Sequence, residues 1–303
     1  MYQFVIIFGF LLLGIILQYV KGFPKNAHQI LNWIVIHICL PALALYYIPK
    51  IKWNTQLLYP ILVTWIGFIL SYLFFSILGK QFGWSRKLTG CLIITAGLGN
   101  TSFLGFPIMQ ALYGGQGLKV AILVDQPGTF VVLSTLGVLM ATLYSSQQAN
   151  GVAIAKKILF FPPFITFLLA CFLNVMHYDL YAPISFFLQK TGTAVTPLAL
   201  LSVGLQLHFD RKSNHWKFLG LGLLYKLVLT PAILYFVYVV VLHQRSAIIQ
   251  VAIMEAAMAP MITGCILASS HGLKPRLCSM MVGFGIPISF ITLFFWYFIV
   301  QFI

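Results

Sequence analysis

The chain has 303 residues, 61% of them hydrophobic and 16% aromatic, while charged residues make up only 7%. A soluble domain carries about 25% charged residues, so the chain lacks the polar surface that a cytosolic enzyme, a nucleic-acid binder or a secreted module needs. The net charge of +14 would suit a polyanionic partner only if the basic residues clustered on one surface. Their positions along the chain argue otherwise. The expected class is an all-α membrane protein whose main partner is the lipid bilayer, with no nucleic acid.

Crossing a hydrocarbon core of about 30 Å takes roughly 20 apolar residues per helix. Apolar runs between polar breaks predict ten spans, at 3–20, 29–48, 57–78, 88–112, 120–144, 158–176, 184–207, 217–242, 246–269 and 277–302. The first has no basic leader and no small-residue cleavage site, so it reads as a span rather than a removed signal peptide. Basic residues follow the odd-numbered spans: Lys21 and Lys25; Lys80, Arg86 and Lys87; Lys156 and Lys157; Arg211, Lys212 and Lys217; Lys274 and Arg276. The opposite side carries only Lys50, Lys52, Lys119 and Arg245. The positive-inside rule therefore places both termini outside, in a multi-pass protein of the cell membrane.

Along the chain, the second span holds His37, the only histidine inside an apolar run. Such a residue is more often packed and hydrogen-bonded than a proton relay. The fourth span contains Gly97-Leu98-Gly99-Asn100-Thr101-Ser102-Phe103-Leu104-Gly105-Phe106-Pro107. Three glycines and a proline make a poor continuous helix. Unwound backbone at that depth persists only where protein buries it or where it lines a cavity. The fifth span carries Asp125-Gln126-Pro127-Gly128, suited to a proton, a sodium ion or a structural partner for a lysine. The ninth repeats the features of the fourth in Glu255-Ala256-Ala257-Met258-Ala259-Pro260, followed by Thr263-Gly264. Half-helices meeting at the midplane would aim N-terminal partial positive charge into one volume, which suits an anion such as a carboxylate.

The two halves resemble each other. Gly117-Leu118-Lys119 recurs as Gly272-Leu273-Lys274, and Leu40-Pro41-Ala42-Leu43 resembles Thr196-Pro197-Leu198-Ala199-Leu200. Pro107 matches Pro260 and Pro127 matches Pro287, all at offsets of about 155 residues. Five spans per half is an odd number, so the second half would enter the membrane inverted. The expected organisation is a first five-helix repeat at 1–145, a short cytoplasmic linker at 146–157 and an inverted repeat at 158–303.

Four ionisable residues are expected at depth: Asp125, Lys190, Lys226 and Glu255. A charge at a helix centre costs roughly 2.5–3.5 kcal/mol on insertion scales, so each needs a partner or a water-filled path. Glu255, beside the second break, is the candidate carrier of a coupling proton; the alternative is a permanent pair with Lys226 or Lys190. Lys226 either attracts an anion or pairs with an acid on a facing helix, and Lys190 can snorkel to the interface. With Gln126, the coupling candidates are Glu255, Asp125 and Lys226.

At residues 99–107 the sequence resembles the Asn-Thr-x-Phe-x-Gly-x-Pro signature of the auxin efflux carrier family. Pro197-Leu198-Ala199-Leu200-Leu201-Ser202-Val203-Gly204 resembles that family's seventh-span motif, and Lys226-Leu227-Val228-Leu229-Thr230-Pro231 its eighth-span pattern. The resemblance implies a ten-helix fold with a scaffold and a transport domain, whose fourth and ninth helices cross at Pro107 and Pro260. It also implies transport of small organic anions: indole-3-acetate in plant members, dicarboxylates such as malate or malonate in bacterial ones. Asn100 would then contact the substrate carboxylate. Thr101, Ser102, Met258 and Thr263, beside the breaks, complete the candidate substrate-binding set with Pro107 and Pro260. Only Ser145 to Lys157 joins the halves, so the chain is more similar to prokaryotic members than to plant ones with a long central loop.

The expected function is a secondary transporter of small organic anions, dicarboxylates or auxin-like carboxylates, working by alternating access with H⁺ or Na⁺ as candidate coupling ion. The alternative is a sodium-coupled symporter resembling the bile acid sodium symporters. An intramembrane enzyme would call for HExxH, paired aspartates or a Ser–His arrangement, and a pump for GxxxxGK[ST]; the sequence has neither set. No catalytic residue, cofactor or metal site is therefore expected. The five cysteines are odd in number and lack a CxxC pair, so they read as free buried thiols. A homodimer through the scaffold helices is compatible with the pattern, although no GxxxG signal specifies one.

Overall fold

A computed structural model describes residues 2–52, 54–145, 160–207 and 215–303. The predicted linker at 146–157, with Lys156 and Lys157, lies outside the described residues, as do Arg211 and Lys212. The described residues are helical, without a named strand. In chain order the helices are α1 (Tyr2–Leu17), α2 (Ala27–Lys50), α3 (Thr55–Gln81) and α4 (Arg86–Gly97). The run Thr101–Tyr144 is divided at Gly114, whose φ of 62° and ψ of −152° are not helical, into α5 (101–113) and α6 (115–144). Then come α7 (Pro162–Val175), α8 (Ala182–Thr193), α9 (Val195–Gln206), α10 (Trp216–Val241), α11 (Ala247–Ala256), α12 (Ile262–Ser270) and α13 (Pro275–Val300). Five of these runs, α2, α3, α5–α6, α10 and α13, are long and apolar enough to cross a membrane.

Four prolines inside these helices come with a local change of helical register, whereas Pro287 sits within α13 without one. The π turns Val35–Cys39, Thr101–Gly105 and Tyr225–Leu229 each end two residues before a proline, namely Pro41, Pro107 and Pro231. A fourth, Asp125–Phe130, contains Pro127. Proline has no N–H to give the carbonyl one turn back. No water in the hydrocarbon core can replace it, so a local shift to the wider register re-satisfies the backbone.

The chain forms two compact units, and neither is a sequence half. The first comprises Met1–Thr55, Ser102–Ile122 and Leu159–Leu207; the second comprises Gln56–Thr101, Leu123–Ile158 and His208–Ile303. Each draws helices from both halves of the sequence. In the first, α1 meets α9 at Gly14 and Gly204. A Cβ on Gly14 would lie 2.9 Å from the Gly204 Cα, so the two backbones touch where no side chain intervenes. Gln18 Nε2 donates to the carbonyls of Gly204 (2.6 Å) and Leu207 (3.2 Å), and Asn174 Nδ2 in α7 to those of Ile48 (3.0 Å), Pro49 (2.8 Å) and Ile51 (2.8 Å). Both amides thus close helix ends whose last carbonyls have no partner within the helix.

In the second unit, Ser71 of α3 donates to the Ile93 carbonyl of α4 (3.0 Å), and Arg86 caps the end of α6 through the Leu143 carbonyl (2.6 Å). Trp296 of α13 reaches the Leu227 carbonyl in the π turn of α10 at 2.9 Å. The repeated Gly-Leu-Lys motif turns out to occupy different places in the two halves. Gly272 is itself the turn before α13 (φ 70°), whereas the equivalent left-handed turn before α6 is Gly114, three residues ahead of Gly117.

Candidate functional site

The second unit is organised around two interrupted helices. Beyond Gly97 at the end of α4, Leu98 runs extended (φ −112°, ψ 129°); beyond Ala256 at the end of α11 the backbone leaves the helix, and Met261, just before α12, is extended (φ −70°, ψ 126°). Gly99 and Pro260 face each other as an antiparallel bridge. The Asn100 N–H donates to the Ala259 carbonyl at 2.8 Å, and the Met261 N–H to the Leu98 carbonyl at 3.0 Å. Each break therefore satisfies backbone groups that the other has freed, which buried unwound chain requires. Pro260, having no N–H, occupies a bridge position where none is used. Gly285 of α13 lies behind it, and a Cβ there would come within 2.7 Å of Pro260 Cδ.

Lys226 enters this crossing from the π turn of α10. It is 3% exposed, and its Nζ donates to the Ala256 carbonyl at 2.8 Å. A Cβ on Gly99 would lie 3.0 Å from that nitrogen, so the close approach of the ammonium needs a glycine at this position. Glu255 is fully buried, and neither carboxylate oxygen has a hydrogen-bond partner among the described residues. The charged groups acting on it electrostatically are Asp125 and Lys226. Asp125 accepts from Thr101 Oγ1 at 2.7 Å and from Gln126 Nε2 at 3.0 Å. A cavity of about 10 Å³, room for about one water molecule, is lined by Gly97, Gly99, Thr101, Lys226, Thr230 and Glu255 among others.

Of the residues expected from sequence, Asn100, Thr101, Asp125, Gln126, Lys226, Glu255, Met258 and Pro260 are all buried in this unit. Others fall elsewhere. The first break lies at Leu98–Asn100 rather than at Pro107, which follows the π turn Thr101–Gly105 and accommodates it. Pro107 belongs to the first unit, where with Gln110, Thr196 and Pro197 it lines a cavity of about 360 Å³ with no charged side chain in its wall. Ser102 is buried and also belongs to the first unit, while Thr263 is exposed on α12. Lys190 is exposed in the last turn of α8, 5.4 Å over the Phe186 ring, and belongs to the first unit. Lys226 and Glu255 are not hydrogen-bonded to each other, because the ammonium is turned to the Ala256 carbonyl.

Outside the site, His37 is exposed on α2 rather than packed inside, where its ring is hydrogen-bonded to the Trp33 carbonyl (3.0 Å) and stacked on that equally exposed ring at 4.6 Å. The five cysteines are free thiols, four of them buried. Sequence reasoning read Gly99 only as a helix breaker and missed Thr230, Gly285 and the Ala256 carbonyl as parts of the site. A lysine within the apolar run Tyr225-Lys226-Leu227 was a usable signal, but its acceptor lies thirty residues away, in another helix.

Comparison with known proteins identifies the family of the chain. Residues 1–297 match the family model described as membrane transport protein, the family of the auxin efflux carriers. An uncharacterized transporter of Methanothermobacter thermautotrophicus is 27% identical over 295 residues, covering 94% of this chain and 93% of that protein. An uncharacterized transporter of Methanocaldococcus jannaschii is 34% identical over 200 residues, 61% of this chain and 62% of that protein.

Proposed function

Because the chain belongs to the membrane transport protein family, we propose that it is a secondary carrier of small organic anions that works by alternating access around the α4/α11 crossing. The observation that carries this reading is the pair of interrupted helices bonded to each other beside a buried lysine and a buried carboxylate. A merely structural kink would not require two ionisable groups in hydrocarbon, where each is costly. The proposed topology is ten spans in two inverted repeats, with both termini outside the cell membrane. In its favour, each half contains one interrupted helix followed by a glycine at positive φ and then a long helix: Gly114 before α6 and Gly272 before α13.

In this mechanism the helices that resume after the breaks begin at Thr101 and Ile262. Their N-terminal ends offer unpaired N–H groups to an anion, and Asn100 contacts its carboxylate. Lys226 supplies the compensating positive charge, and Glu255 takes up and releases a coupling proton. Sodium coupling is the second reading, favoured by the buried Asp125 carboxylate with Thr101 and Gln126 around it. Uptake of radiolabelled dicarboxylates and aromatic acids into proteoliposomes tests both, with a pH gradient or a Na⁺ gradient imposed separately. The expected result is accumulation driven by the pH gradient, at least about tenfold weaker in Asn100→Ala. In Glu255→Gln, pH-driven accumulation is lost while anion exchange continues. Uptake of neutral or cationic solutes only would overturn the anion assignment.

A further inference from the structure

We infer that Lys226 is a resident cation: its ammonium fills a site built from oxygen ligands for a small monovalent cation, so shortening this one side chain converts the crossing into a sodium site. The argument concerns what binds at the crossing and does not depend on which solute is carried. Gly97 and Ala256 both line the same small cavity. They are the last residues of α4 and α11, the ends at which helices present unpaired carbonyls and partial negative charge. The hydroxyls of Thr64, Thr101 and Thr230 and the carboxylate of Glu255 complete the polar wall, and Lys226 contributes the only nitrogen among the side chains lining it.

This donor set of carboxylate, carbonyl and hydroxyl oxygens is the chemistry of hard cations. Glu255 gives it direction: a fully buried carboxylate whose two oxygens have no hydrogen-bond partner among the described residues faces the cavity. An ammonium carries one positive charge and three donors, and here it lies 2.8 Å from the Ala256 carbonyl, closed in by Gly99. A free ion of the same charge could replace it once the four-carbon stem is gone. The cavity of about 10 Å³, enlarged by the volume of that stem, then has room for the ion and a water molecule. The native protein consequently has no use for sodium at this place.

The test is thermal unfolding of the full-length protein in detergent, in NaCl or in choline chloride at equal ionic strength. A ligand that binds the folded state raises Tm by mass action. Native protein is expected to melt at the same temperature in both salts. Lys226→Ala is expected to show a saturable sodium-specific rise of about 3–5 °C, mimicked by methylammonium chloride, which restores the tethered group in soluble form. Adding Glu255→Gln to Lys226→Ala should abolish the rise. If Lys226→Ala does not survive extraction in choline chloride, the readout becomes the yield of monodisperse protein, which should recover in NaCl or methylammonium chloride. Four results overturn the inference: an equal sodium response in the native protein, no response in Lys226→Ala, a response that persists in the double variant, or no folded Lys226→Ala in any salt. None of them bears on anion uptake, so the carrier reading stands or falls separately.

Discussion

The two units use buried polar side chains in opposite ways. In the first, the buried or half-buried groups are amides with full partnerships: Asn174 closes the end of α2 and Gln18 the end of α9. In the second, three ionisable groups, Asp125, Lys226 and Glu255, are buried beside the hydroxyls and amides, and Glu255 has no hydrogen-bond partner among the described residues. A satisfied amide network rigidifies a fold. An unsatisfied buried charge costs stability and persists only where something else requires it. The contrast separates side chains that hold helices from the ionisable side chains on which the proposed carrier mechanism rests.

That contrast can be broken most severely at Gly204. Any side chain there would run into the Leu11 carbonyl and the Gly14 backbone, so Gly204→Leu should yield no folded protein, as judged by size-exclusion profile. The next largest effect is expected from Asn174→Leu, which takes the side-chain donor from the carbonyls of Pro49 and Ile51 and leaves that of Ile48 with only the Ile51 N–H. An unsatisfied buried group costs about 1–3 kcal/mol, so Tm should fall while uptake per folded molecule stays unchanged. Glu255→Gln should do the reverse, keeping or raising Tm while coupling is lost; if it unfolds the protein, Glu255 belongs with the structural group. The smallest effect and the sharpest comparison come from Gly285→Ala. Its Cβ would press on Pro260 Cδ and on Leu223 Cδ2 at 2.9 Å, overpacking that costs about 1–3 kcal/mol. Uptake should slow more than Tm falls, because the strain is applied at the crossing itself.

Much of the second unit was legible in the residue order. Glycine, asparagine and proline inside apolar runs marked both interrupted helices, because these residues cannot be carried silently through hydrocarbon. Asp125, Lys226 and Glu255 were equally visible, since any charge in an apolar run is conspicuous. The first break falls within the run Gly97–Pro107 that the residue order marks, at Leu98–Asn100 rather than at the Pro107 crossing that the resemblance implies. Pro107 looked like the breaker, but a π turn ahead of it absorbs the missing N–H, and the extended segment falls where Gly99 has no side chain to obstruct Lys226. Lys190 is exposed at the end of α8, as snorkelling requires, although an apolar run does not reveal which of its faces is exposed.

Composition alone determined that this is a multi-pass membrane protein, since a chain so poor in charge has no other stable solvent. Local order determined where its helices run and where two of them fail. Pairing was decided only by the tertiary structure: which carbonyl receives Lys226, which break completes which, and which helices from each half share a compact unit. Those choices depend on contacts between residues about 30 to 160 positions apart, such as Lys226 with Ala256 and Asn100 with Ala259. Helical periodicity reports only on neighbours three or four residues away, so no reading of the chain in order could have supplied them.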